Sequence, residues 1–149
     1  MIRVQEGPFD VGAELAALSA GRTDIGAVAS FVGLVRDVAG GQAIGAMTLE
    51  HYPGMTEKKL AEIEAEAATR WPLQASLIVH RYGRMLPGEP IVLVATAAQH
   101  RAAALEACAF LIDWLKTKAP FWKLEETGAA SRWVEARDAD DRAAARWQR

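Results

Sequence analysis

The sequence predicts an α+β domain, and three observations carry that expectation. Two strand-like runs, residues 73–82 and 91–97, are joined through Met85-Leu86-Pro87-Gly88-Glu89-Pro90, where a proline-glycine pair favours a turn, so they read as an antiparallel hairpin. Leu60, Ile63, Ala67 and Trp71 recur at helical spacing while Glu57, Lys58, Glu62, Glu66 and Arg70 occupy other faces, as in an amphipathic helix lying on a sheet. A longer helix is expected over 100–118, with Leu105, Cys108, Ile112, Leu115 and Ala119 in one stripe that Phe110, Leu111 and Trp114 broaden. That breadth leaves room for burial by the sheet and by a second subunit. With 149 residues, 51% of them hydrophobic and 24% charged, the chain fits one globular domain over 1–149, and no linker or repeat divides it.

The remaining elements follow in order. Residues 2–5 form a first strand, Gly7-Pro8 breaks it, and Asp10 caps a helix over 11–19 that ends at Gly21. From 26 to 35 the residues are small and β-branched, the composition of a strand covered on both faces, and this run ends in Arg36-Asp37. Ala39-Gly40-Gly41-Gln42 reads as a flexible loop, without the lysine-threonine sequel of a phosphate-binding loop. Residues 44–50 restore strand character. Pro53-Gly54 turns the chain, and Thr56 is expected to cap the next helix with Lys59 where a capping-box acid would stand. After the long helix stops at Pro120, residues 121–126 and 132–135 read as extended, with a loop over 128–131. The tail over 138–149 has Trp147 as its one large anchor and is either a docking helix or a frayed end.

Composition excludes several classes of function. A formal net charge of −2 gives no general drive toward nucleic acid, so any anion site must be local. The first residues lack the layout of a signal peptide and no apolar run is long enough to span a bilayer, so a cytoplasmic protein without a membrane partner is expected. The single cysteine, Cys108, lies among Ala107, Ala109, Phe110 and Leu111 and reads as a small buried side chain. No zinc or iron-sulfur ligand pattern occurs, and no metal or other cofactor is expected. Ser30 and Ser76 lack the context of an activated nucleophile, and no paired-carboxylate signature occurs.

What chemistry the residues offer is basic. Lys116, Lys118 and Lys123, three of the chain's five lysines, cluster about the stop at Pro120. A partly desolvated lysine there is a usable acid or base, whereas an ordinary one only complements the helix dipole. On a helix Lys116 and Lys118 point about 200° apart, so they do not share one pocket, while the turn at Pro120 is placed to bring Lys123 back toward Lys116. Arg36 follows a strand, and His100-Arg101 opens the long helix where free N–H groups favour a phosphate or carboxylate. The ordinary reading of Arg36 and Arg101 is surface salt bridging, that of His51 and His80 is hydrogen-bonded structure, and that of Phe121-Trp122 is core or interface.

Several longer runs carry a resemblance. They are 26–37, with Gly33-Leu34-Val35-Arg36-Asp37; Leu49-Glu50-His51-Tyr52-Pro53-Gly54-Met55-Thr56-Glu57; and His80-Arg81-Tyr82-Gly83 with Pro87-Gly88-Glu89. His100-Arg101, Leu115-Lys116-Thr117-Lys118-Ala119-Pro120-Phe121-Trp122-Lys123 and Arg132-Trp133-Val134-Glu135-Ala136 complete them. Across nearly its whole length the chain resembles the MoaE family, the large catalytic subunits of molybdopterin synthase.

The resemblance implies an α/β hammerhead fold: a mainly antiparallel sheet, packed helices and a smaller β subdomain. It implies a sulfurtransferase of molybdenum cofactor biosynthesis. A homodimer within a heterotetramer would bind a small ubiquitin-like sulfur-carrier subunit whose C-terminal diglycine ends in a thiocarboxylate. Cyclic pyranopterin monophosphate would receive two sulfurs and become the dithiolene molybdopterin, with molybdenum added later by other proteins. The family's functional lysines fall on Lys116 and Lys123, and its substrate-binding arginine on Arg36 beside Leu34 and Val35. Its histidine-arginine pair falls on His100 and Arg101, reaching the pocket from the other protomer. Arg137 is a further candidate for the basic pocket. Leu124 stands where relatives often carry a basic residue, so only its backbone, with Glu125, is expected to line the site.

The mechanism expected on these residues has Arg36, His100 and Arg101 holding the cyclic phosphate, Lys116 acting as general base or acid, and Lys123 stabilising developing negative charge or sharing the proton transfer, two roles that the sequence does not separate. The rival readings are a non-catalytic module that binds a ubiquitin-like tail or an anionic metabolite, and a Schiff-base enzyme using Lys116.

Overall fold

The hairpin read from the sequence is the centre of the molecule in the computed structural model, which describes residues 1–127, 130–134 and 138–148. Its arms are β6 (Leu73–Arg81) and β8 (Pro90–Ala98), antiparallel with Ile78 opposite Val94 and His80 opposite Val92. β1 (Ile2–Gln5) joins β6 in parallel and β2 (Ala27–Leu34) joins β8 antiparallel, giving the order β1-β6-β8-β2. Successive side chains of a strand point to opposite faces, so a sheet covered on both sides needs a continuous apolar run. That is why β6 and β8 carry Leu77-Ile78-Val79 and Val92-Leu93-Val94.

Ile78, Val92 and Val94 face the helices α2 (Met55–Arg70) and α3 (Arg101–Lys118), which bury Leu60, Ile63, Ala67, Phe110, Leu111 and Leu115 against them. Leu77, Val79 and Leu93 face the other way, under α1 (Val11–Ser19), where Phe9, Leu15 and Leu18 cover them. Each fully buried Leu or Ile is worth about 1.5–3 kcal/mol of transfer free energy, so the two faces together dominate the stability of this sheet. α1 begins as its sequence indicates, the Asp10 carboxylate accepting from the Ala13 N–H at 2.9 Å.

A second sheet has the order β10 (Ala130–Val134), β9 (Phe121–Thr127), β5 (Ala46–His51), β7 (Gly83–Met85), antiparallel throughout. Its inner face contributes Met47, Leu49, Met85 and Phe121 to a separate apolar cluster with Val35 and Ile91. β7 corrects the simple hairpin: after β6 the chain turns at Gly83, with φ of 91°, and leaves the first sheet for the second before returning as β8.

Four other expectations are corrected. The run at 26–35 is an edge strand, not one covered on both faces: Val28, Phe31 and Leu34 are exposed. The Gly40-Gly41 segment is the two-residue turn of a small hairpin between β3 (Val38–Ala39) and β4 (Gln42–Ala43), and positive φ at both glycines is what a primed turn requires. The cap of α2 is Gly54, whose N–H is accepted by Glu57 at 3.1 Å; Thr56 is buried instead, donating its hydroxyl to the Tyr52 carbonyl at 2.9 Å. Leu105, placed in the α3 stripe by its spacing, is 59% exposed.

The tail is the docking helix. α4 (Asp138–Ala145) leads to Trp147, which sits edge-on to Trp71 and Phe110 and donates its indole N–H to Asp113 at 2.7 Å. The Arg70 guanidinium donates to the Trp147 carbonyl at 2.6 Å, and the Trp114 indole to the Ala144 carbonyl at 3.3 Å.

Candidate active site

The direction of α3 decides which basic residues meet. Thr96 of β8 donates its hydroxyl to the Ala104 carbonyl at 2.6 Å, and two residues earlier on the strand Val94 lies 3.9 Å from the Cys108 sulfur. Two strand residues span about 6.6 Å and four helix residues about 6 Å, so helix and strand run antiparallel in step. Continued in that register, Lys116 in the last turn reaches the Pro90 end of β8, while His100 and Arg101 stay at the Ala98 end.

The Pro90 end is also where β2 finishes. Leu34 pairs with Pro90, and the Val35 N–H donates to the Glu89 carbonyl at 3.0 Å while its carbonyl accepts from Gly88 at 2.7 Å. Val35 is buried, and Leu34 and Arg36 on either side of it are exposed. β6 ends here as well, with His80 opposite Val92 and Arg81 almost fully buried. The Arg81 guanidinium donates to the carbonyls of Glu6 at 3.0 Å and Pro90 at 3.5 Å and pairs with Glu89 at 3.4 Å, so its charge is already answered.

Lys123 approaches from the second sheet. It pairs with Leu49 of β5, whose side chain is core, so by strand alternation Lys123, Phe121 and Glu125 share the inner face. Glu125 is buried there opposite Met47, while Leu124 falls on the outer face with the exposed Trp122. Leu124 therefore offers Lys123's side of the strand its backbone alone.

The charges of the two lysines both act on one group, His80. Its ring is stacked on Phe121 at 3.8 Å between centroids and 17° between planes, and its Nδ1 lies 2.9 Å from the Arg81 carbonyl. Because a carbonyl only accepts, Nδ1 carries the hydrogen and Nε2 keeps a lone pair. Burial pushes the imidazole pKa down to about 3; the Arg81 carbonyl works against that, and the charges of Lys116, His51 and Lys123 add to it. His51 completes the group, 4.6 Å from the Tyr82 ring, 6.1 Å from Phe121 and 3.2 Å from the Thr56 hydroxyl. The sequence marked His80 as hydrogen-bonded structure, and the hydrogen bond is present. Its stack on Phe121 joins residues 41 positions apart and has no local signal. Lys118 takes another side of α3, with its ammonium 4.7 Å from the centre of the Trp114 ring.

So Leu34, Val35, Arg36, Lys116, Lys123 and Glu125 gather about one end of the first sheet, and His100 and Arg101 lie exposed at the other. Along α3 alone Arg101 and Lys116 are about 22 Å apart. Arg137 lies outside the described residues. A groove of about 410 Å³ between α2 and α3 contains Lys118 and Lys59 with Glu62 and Glu66, of which Glu62 is paired with Lys59 and Glu66 with Arg70, so it has no net basic character to draw an anionic ligand. What the gathered end offers chemically is a basic pole in a protein of slightly negative charge, with two amines arriving from different elements and no nucleophilic sulfur among the residues gathered. Cys108 is buried on the helix side of the sheet, and burial pushes its thiol pKa up to about 11.

Comparison with known proteins agrees with this architecture. A family model described as MoaE protein matches residues 4–118. A molybdopterin synthase catalytic subunit of Pseudomonas aeruginosa is 58% identical over 99% of this chain and 98% of its own length. One from Ralstonia nicotianae is also 58% identical, over 98% of this chain and 83% of that protein. The solved structure of a molybdopterin biosynthesis MoaE protein from Burkholderia ambifaria superposes with a TM-score of 0.85, at 56% identity, covering 99% of this chain and 97% of that one.

Proposed function

The chain belongs to the MoaE family, and from that premise we propose that it is the catalytic subunit of a molybdopterin synthase, acting as a sulfurtransferase. Its donor is the thiocarboxylated C-terminus of a small ubiquitin-like carrier, and its acceptor is cyclic pyranopterin monophosphate, which takes two sulfurs to become a dithiolene.

The observation that supports this reading best is that Lys116, from a helix end, and Lys123, from a neighbouring sheet, are both close enough for their charges to act on His80. A sulfur transfer of this kind has two proton-linked stages. The carrier's sulfur bonds to a substrate carbon as a C–O bond at that carbon breaks, the oxygen leaving with the phosphate or, once protonated, as water. A second water then cleaves the thioester between carrier and substrate, leaving the sulfur on the substrate and releasing the carrier as a carboxylate. Lys116, exposed at the helix end, moves protons in these stages. Lys123, half-buried beside it, stabilises the negative charge that develops on the thioester oxygen as water adds. Arg36 binds the cyclic phosphate from its exposed position after β2.

His100 and Arg101 enter the same site from a second copy of the chain. The 22 Å helix between Arg101 and Lys116 separates them within one protomer, and an isologous contact across a two-fold axis, with each copy's Arg101 end beside the other's Lys116 end, closes that gap. The exposed edge of β2 and the apolar Val28, Phe31 and Leu34 along it supply a surface for that second copy.

The test is reconstitution. Purified protein, thiocarboxylated carrier and cyclic pyranopterin monophosphate yield dithiolene product, and Lys116→Ala at saturating carrier abolishes most of the turnover. Near-normal turnover by that variant would remove Lys116 from the mechanism.

A further inference from the structure

The site just described depends on a geometric relation between two elements that are not hydrogen-bonded to each other. Lys116 belongs to α3, which rides on the first sheet; Lys123 belongs to β9, in the second. Ala119 and Pro120 link them covalently, but such a link allows many orientations. Something must fix the start of β9 against the end of the first sheet.

Phe121 is the first residue of β9, and its ring lies on the imidazole of His80, the penultimate residue of β6. A nearly parallel contact at 3.8 Å between residues of different sheets is a flat, close-packed joint. His80 is itself immobilised. It is 5% exposed, and its Nδ1–H is held by the Arg81 carbonyl at 2.9 Å. Arg81 is in turn tied to Glu6, Glu89 and Pro90. Phe121 is fixed from the other side by its pairing with His51.

We propose that His80 is a positioning residue of the sulfur-transfer site, its ring serving through the stack on Phe121 as the joint that sets where Lys123 stands relative to Lys116. This inference rests on the reading of the site given above. The charged or titratable groups whose charge acts on the ring are Lys116 from α3, His51 from β5 and Lys123 from β9. A histidine suits the position because, uncharged, it gives a flat face to Phe121 and an N–H to Arg81 without adding a cation beside two lysines. His80 touches neither substrate nor carrier in this scheme.

The experiment uses full-length His80→Ala, His80→Phe, Phe121→Leu and the His80→Ala/Phe121→Leu double variant. Each is assayed for sulfur transfer and, separately, by NMR after reductive ¹³C-methylation of lysines. The expected result is a fall in kcat of about tenfold or more for His80→Ala and for Phe121→Leu, with KM for carrier and pterin within about twofold. His80→Phe, which restores a flat ring, recovers most of the loss, and the double variant is no worse than the weaker single one. The Lys116 and Lys123 methyl signals move in His80→Ala and return toward their native positions in His80→Phe. Phe121→Leu keeps the apolar burial, so it carries the test should His80→Ala not fold. Equal impairment of His80→Phe and His80→Ala, multiplicative losses in the double variant, or unmoved lysine signals would overturn the proposal. Absence of dithiolene product from the wild-type protein would instead overturn the sulfur-transfer reading, and the lysine signals would still decide the joint.

Discussion

Arg101 and Lys116 stand fifteen residues apart on one helix, about 22 Å along its axis, one in its first turn and the other in its last. If both serve one substrate, they come from different copies of the chain.

That relationship predicts complementation. Arg101→Ala and Lys116→Ala, each inactive alone, regain about a quarter of wild-type activity when unfolded together at equal amounts and refolded. Half the dimers are then mixed, and each mixed dimer carries one intact site. Activity no greater than that of the separate variants would place the site within a single copy.

The lysines are expected to matter for rate more than for stability. Lys116→Ala and Lys123→Ala each lower kcat by about 10²-fold or more, the usual scale for loss of a proton-transfer or charge-stabilising group. Lys116 is exposed, so its removal shifts the urea midpoint little. A large loss of stability in Lys116→Ala, with kcat preserved in the folded fraction, would contradict this.

His80 gives the fold an acid sensitivity. Its imidazole refuses a proton until about pH 3, against an ordinary value of 6.5. Above pH 6.5 neither the folded nor the unfolded chain holds that proton, and stability is at its full value. As pH falls from 6.5 toward 3 the unfolded chain takes up a proton that the folded chain does not, and unfolding free energy declines by about 1.4 kcal/mol per pH unit from this group. Urea titrations at pH 7, 5.5 and 4.5 should show that slope in the wild type and a shallower one in His80→Phe. Parallel slopes would mean that His80 titrates normally.

Much of this architecture was legible because its causes are local. The Asp10 cap, the apolar runs of β6 and β8 and the α2 stripe are each decided within a few residues. Errors arose where a distant partner or a single glycine decides. Thr56 has the right chemistry for a cap, but Gly54 at φ 84° starts the helix two residues sooner and leaves Thr56 to the Tyr52 backbone. Small β-branched residues at 27–34 read as a doubly covered strand, yet within one protomer they lie at an edge. In the site, Lys116 and Lys123 stand in a recognisable run, whereas the stack of His80 on Phe121 depends on how two sheets meet.

Gly26 predicts a further sensitivity. Its N–H donates to the Ala98 carbonyl at 2.9 Å, and a Cβ built there would run into the Gln99 carbonyl, which is backbone and cannot swing aside. Gly26→Ala should cost about 3 kcal/mol by equilibrium denaturation, at the upper end of overpacking effects. It should also disturb His100, the residue after Gln99. A change below about 0.5 kcal/mol would show that the strand end yields freely.

Trp147→Ala should cost about 2 kcal/mol, since it removes the half-buried indole packed on Trp71 and Phe110 and its bond to Asp113. Denaturation of the variant beside a chain ending at residue 137 would show whether the tail contributes through this one anchor, in which case the two losses agree.

The buried Cys108 bears on the economy of sulfur. With a thiol pKa of about 11, only about one molecule in 10⁴ carries a thiolate at neutral pH, and none faces the basic pole. A catalyst built this way keeps no sulfur in reserve between turnovers. In the proposed transfer each atom is delivered by a fresh carrier, so two carriers would be discharged for every dithiolene made, and output would follow the rate at which spent carriers are recharged. The same burial shields the thiol from oxidants, so in the proposed reaction the carrier's thiocarboxylate end is the oxidation-sensitive component.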